Sequence, residues 1–104
     1  MVRPCCPRRV NWFPVCLYFQ PAEPFLPQGE LTLTLDELGA LRLADFEGLY
    51  QEDAAKQIGV SRSTFARILG AARRKVVEAL IMGKIVRIQG GMVAHEAEKV
   101  LNNR

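Results

Sequence analysis

Apolar and polar positions alternate from Leu31 to Leu33, switch to helical spacing from Leu35 to Leu80, and return to a β-branched run over Lys84 to Gln89. The first change of period falls at Thr34-Leu35-Asp36-Glu37, a capping box in which Thr34 caps a helix and Glu37 reaches back to it. Leu35, Leu38, Leu41 and Ala44 or Asp45 predict a helix to about Phe46, ended by Gly48. Gln51 to Ile58 predicts a short second helix with Ala54, Ala55 and Ile58 inward. Tyr50 stands at its N-cap and cannot accept the local hydrogen bond that Ser or Thr would, a weakness of about 1 kcal/mol. Glu52 and Asp53 partly offset it through the helix dipole. Phe65, Ile68, Leu69, Ala72, Val76, Ala79 and Leu80 predict a long third helix from Arg62, with one apolar face and a stop at Gly83. Gly70, inside that helix, costs about 1 kcal/mol. A single short strand over 84–89 cannot stand alone, so a two-stranded clip with Leu31 to Leu33 is expected.

The connection between the second and third helices is the most specific feature. Ala55 is small where two helices must approach closely. Gly59 follows four residues later, where a helix must end in a left-handed conformation. Val60 can plug the angle between the helices, and Ser61 can cap the next one. The spacing predicts a helix-turn-helix whose second helix lies in the major groove of DNA. Arg62, Ser63, Ala66 and Arg67 are expected to face outward, toward DNA. Arg73 and Arg74 lie further along, where DNA-backbone contacts or plain solvation are expected. The alternative is an αα-hairpin in a structural bundle.

Charge sharpens the picture. The net charge of the 104 residues is only +3. From Asp36 to Asp53, however, six acids face one base, whereas from Arg62 to Arg87 seven bases face one acid. The basic half coincides with the expected recognition helix, and a phosphate backbone would bind it with marked salt dependence.

All six prolines lie between Met1 and Gln28, which excludes a persistent helix there. Asn11 to Phe13 and Leu17 to Phe19 are expected to pack as extended arms. Arg3, Arg8 and Arg9 make the tip basic, so the leader is either a disordered or merely packed segment or an arm able to touch DNA. The three cysteines (Cys5, Cys6 and Cys16) have no metal-site spacing and suggest reduced thiols, with no metal or other cofactor. No apolar run approaches the roughly 20 residues of a membrane span. Pro14 interrupts the apolar patch after the leading arginines and no cleavage site follows, so a signal peptide is rejected and a cytoplasmic location expected. His95 is the only histidine, no nucleophile has a base at recognisable spacing, and no Gly-rich phosphate loop exists, so an enzyme is not expected.

The run from Leu33 to Leu80 resembles the domain-of-unknown-function 134 family, small prokaryotic proteins described as predicted DNA-binding. Arg8-Arg9-Val10, Pro14, Tyr18-Phe19-x-Pro21 and Arg87-Ile88-x-Gly90-Gly91 extend the resemblance over about Arg3 to Gly91. The motif is also similar to region 4 of bacterial sigma factors, through Leu33-Thr34-Leu35-Asp36-Glu37 and Gly59-Val60-Ser61-Arg62-Ser63-Thr64. That similarity implies that Ser61, Arg62, Ser63, Thr64 and Arg67 lie at the DNA. Tyr50 departs from the usual capping Ser. The resemblance implies no target sequence, effector or activity.

The expected architecture is mainly α: a three-helix helix-turn-helix core over 31–91 with a long recognition helix and a two-stranded β clip. An extended Pro-rich leader (1–30) precedes it and a tail, helical over Ala94 to Leu101, follows (92–104). The expected function is sequence-specific binding of double-stranded DNA as a transcriptional regulator, by a homodimer on a two-fold site, with no membrane partner and no identifiable small-molecule ligand. A protein-interaction module built on the same motif is the alternative.

Overall fold

The computed structural model describes residues 12–90. The basic tip with Cys5 and Cys6, and the tail with His95, lie outside the described residues. The elements, in order, are β1 (Tyr18–Phe19), β2 (Glu30–Leu33), α1 (Leu35–Leu41), α2 (Gln51–Ile58), α3 (Arg62–Met82) and β3 (Ile85–Ile88). A π-helical turn over Arg42–Phe46 continues α1. Three helices and a small sheet make the protein mainly α.

Local chemistry accounts for most boundaries. Thr34 accepts from the Glu37 amide at 3.3 Å while the Glu37 carboxylate accepts from the Thr34 amide at 3.0 Å, which closes the expected capping box. The π-helical turn ends α1 because its last amides reach back five and six residues: the Glu47 amide donates to the Arg42 carbonyl and the Leu49 amide to Leu43. Gly59 and Gly83 terminate α2 and α3 at φ +79° and +72°. An L-residue would be strained at either position. Tyr50 caps α2 with its backbone alone, as its chemistry requires. Because Tyr50 is exposed, Tyr50→Ser is expected to raise the unfolding free energy by about 1 kcal/mol, checked by urea denaturation. An unchanged or lower midpoint would mean that the ring contributes packing that outweighs the missing cap.

The clip is a three-stranded sheet rather than a two-stranded one, in the order β1-β3-β2. The expected pairing of β2 with β3 forms, and it is parallel, with Leu31 opposite Val86 and Leu33 opposite Ile88. Parallel pairing is possible because all three helices lie between the two strands and serve as the crossover. The additional strand comes from the Pro-rich leader: Tyr18 pairs with Arg87 and Phe19 with Val86, antiparallel.

Two apolar clusters hold the helices together. Ala40, Leu43, Ala54, Ala55, Ile58, Phe65 and Leu69 form the first, at the meeting of α1, α2 and α3, with Val60 packed against it. Leu33, Leu35, Ala72 and Ile88 form the second, between the sheet and the helices, with Phe13 and Leu17 of the leader against it. Lys75 ties the two layers: its ammonium donates to the Thr32 carbonyl at 2.8 Å and to the Glu37 carboxylate at 2.8 and 3.1 Å. One expectation fails at the far end of α3. The spacing of Leu80 predicts a buried position, but it is 78% exposed. The helix has outrun its neighbours there, and only Ala79 of that last stretch is buried.

Candidate nucleic-acid interface

The candidate surface is built where α2 turns into α3. Ala54 and Ala55 are buried, and their small side chains let α2 approach the first turns of α3 around Phe65. The Gly59 and Val60 amides both donate to the Ala55 carbonyl, at 2.9 and 3.0 Å, so the chain reverses within two residues. Ser61 then starts α3. Its hydroxyl accepts from the Thr64 amide at 3.1 Å and donates to the Thr64 hydroxyl at 3.0 Å.

These bonds divide the expected residues into two groups. The Ser61 and Thr64 hydroxyls are engaged with each other and Thr64 is half-buried, so both build the helix start, while the Ser63 hydroxyl, 3.3 Å from that of Ser61, is exposed as well as hydrogen-bonded. Arg62, Ser63, Ala66 and Arg67 are exposed on the first two turns of α3; Arg62, three residues before Phe65, flanks the buried face, whereas Ser63 and Arg67 lie on the face opposite Phe65. Arg74 continues that face two turns further on. Gly70 lies between Arg67 and Arg74, and a Cβ built there would meet open space, so internal packing does not require glycine.

Arg73 is placed differently. Its guanidinium donates two bonds to Asp45, at 2.7 and 3.0 Å. These bonds hold the Asp45 carboxyl below its ordinary pKa range and push the Arg73 pKa up. The same logic covers most cations away from the turn. Arg42 pairs with Glu47 and lies 5.0 Å over the Trp12 ring. Lys75 pairs with Glu37, Lys84 with Glu78, and Arg87 with Glu30 at 2.7 Å. Hydrogen bonds from Lys84 and Arg87 lower the pKa of Glu78 and Glu30 respectively. Among the described residues, the cations with no hydrogen bond or ion pair are Lys56, Arg62, Arg67 and Arg74. All four belong to α2 and α3. Lys56 is a member the sequence reasoning missed. It sits in the last turn of α2, where a basic residue also suits the negative end of the helix dipole, and this ordinary role hid it.

The start of α3 is electrostatically incomplete. Acids occupy the first turns of α1 and α2, whereas the first turn of α3 has none and carries Arg62 instead. A cation at the positive end of a helix is locally unfavourable by about 0.3–1 kcal/mol. The arrangement is suited to an anion supplied from outside.

A family profile described as "protein of unknown function DUF134" matches residues 1–96. The chain belongs to that family. Its relatives include the UPF0251 protein of Desulforudis audaxviator, 46% identical over 101 residues, covering 96% of this chain and 66% of the relative. The UPF0251 protein of Moorella thermoacetica is 51% identical over 92 residues, covering 88% and 62%. That of Methanosarcina acetivorans is 50% identical over 90 residues, covering 86% and 80%. This family member thus spans a little under two thirds of the length of the first two relatives. No solved structure matches. Among the described residues no helix is long and apolar enough to cross a membrane, and no cluster of three or more His, Cys, Asp or Glu is placed to hold a metal ion.

Proposed function

We propose that the chain binds double-stranded DNA sequence-specifically, as a transcriptional regulator, with α2 and α3 acting as a helix-turn-helix of the sigma region 4 type. The carrying observation is the sorting of cations. Arg42, Arg73, Lys75, Lys84 and Arg87 are hydrogen-bonded or ion-paired to carboxylates, whereas Lys56, Arg62, Arg67 and Arg74, in α2 and α3, make no hydrogen bond or ion pair, Arg74 having only a longer-range attraction to Glu78. No hydrogen bond or ion pair of the fold depends on these four side chains. Together with a helix start lacking an acid, they supply a docking surface for a phosphate backbone.

In this reading the first two turns of α3 enter the major groove. Arg62 and Arg67 read guanine edges or hold phosphates, and Ser63 and Ala66 make short contacts with base edges. Lys56 and Arg74 lie to either side and hold the backbone. Bare Gly70 lets a strand pass close to the helix between Arg67 and Arg74. Ser61 and Thr64 act by fixing the helix start.

Selection from a random duplex pool tests the reading. The protein is expected to enrich a short motif, and its Arg67→Ala variant is expected to lose that motif or relax it at one position. Recovery of an unenriched pool by the wild type would overturn sequence-specific binding.

A protein-interaction role is the second reading. It is favoured by an open, largely apolar groove lined by Trp12, Val15, Leu38, Leu41 and Phe46 together with Arg42 and Asp45. Such a module would flow through immobilised DNA at low salt, where the DNA-binding reading predicts retention.

A further inference from the structure

We infer that the C-terminal end of α3 is a self-association surface that receives a second copy of this chain. Eleven large apolar or aromatic side chains are exposed among the described residues, and six of them belong to this one end of the molecule. Val77, Leu80, Ile81 and Met82 come from the last two turns of α3, and Phe25 and Leu26 from the loop before β2. The loop is fastened to the helix end. The Gln28 amide donates to the Gly83 carbonyl at 2.8 Å, and the Gln28 side chain donates to the Leu26 carbonyl at 3.0 Å. The loop and the helix end are therefore held side by side.

Size and charge choose the occupant. Six large side chains, each exposing half or more of its surface, amount to several hundred Å2, the scale at which an apolar patch marks an interaction site. That area also approaches the roughly 800 Å2 per partner of a stable dimer. In a two-fold interface the same patch meets itself, so an unpaired charge would approach its own copy. Glu78 and Lys84, at its border, are paired with each other and so present no unpaired charge to the copy. The basic face around Arg62 and Arg67 would repel its copy and is thereby left outside. Arg62 and Arg67 lie in the first two turns of α3, at the opposite end of the helix from this surface. The inference stands independently of what that basic face binds.

Sedimentation velocity of the 104-residue chain over a range of concentrations, without DNA, tests it. The wild type is expected to pass from monomer to dimer as concentration rises. Leu80→Glu with Ile81→Glu is expected to weaken the dimer at least about tenfold. Leu26→Glu, on the loop instead of the helix, is expected to do the same. All three side chains are exposed, so the far-ultraviolet circular dichroism should stay that of the wild type. A wild type that is monomeric up to roughly millimolar concentration, or variants that dimerise as the wild type does, would overturn the inference.

Discussion

Phe65→Ala is expected to lower the unfolding free energy by about 3–5 kcal/mol, a large share of the roughly 5–15 kcal/mol typical of a domain. Phe65 is fully buried in the cluster where α1, α2 and α3 meet, against Ala54, Ala55, Ile58 and Leu69. The residues around the cavity cannot collapse into it easily. Ala54 and Ala55 are already minimal, and the Gly59 turn fixes the distance between α2 and α3. Urea denaturation of the purified variant measures the effect. Phe65→Leu keeps most of the volume and should recover much of the loss. A loss below about 1 kcal/mol for the alanine variant would show that this cluster does not hold the turn in place.

The second large effect concerns binding. Joint replacement of Arg62, Arg67 and Arg74 by alanine is expected to reduce affinity for the selected duplex at least about 100-fold at low salt, with each arginine contributing ~1 kcal/mol or more. None of the three makes a hydrogen bond or ion pair among the described residues, so stability should scarcely change. Arg73→Ala is the informative contrast. Its guanidinium is already committed to Asp45, so its removal should weaken binding much less than removal of Arg67. If Arg73→Ala and Arg67→Ala weakened binding equally, the division between engaged and unengaged cations would have no bearing on the interface.

That division also shows what can be read from sequence. Signals that act over a few residues were legible. The Thr34–Glu37 capping box, the Gly59 turn, the Ser61 cap and the stop at Gly83 each depend on neighbours within one helical turn. The pairing of β2 with β3 followed because a single strand cannot stand alone. Three features were hidden, for different reasons. Strand β1 has only two residues and no periodicity of its own; it exists because β3 offers it an edge. Leu80 has the spacing of a buried residue, but spacing does not say where the neighbouring elements end. Most consequential, the seven bases from Arg62 to Arg87 looked like one basic surface. Four of them are held by acids: Arg73 by Asp45, Lys75 by Glu37, Lys84 by Glu78 and Arg87 by Glu30. Three of these partners lie 28 to 57 residues away, a distance over which charge counting carries no information.

The salt dependence of duplex binding tests the account most directly, because it counts the cations that meet phosphates. If most of Lys56, Arg62, Arg67 and Arg74 engage the backbone, the logarithm of the association constant should fall against the logarithm of salt with a slope of roughly −3 to −4. Affinity would then drop about 100-fold between 50 and 200 mM salt. The Arg62/Arg67/Arg74 triple variant should flatten the slope to about −1, with only Lys56 left. A wild-type slope near zero, or a triple variant whose slope matches the wild type, would contradict the assignment of this face to DNA.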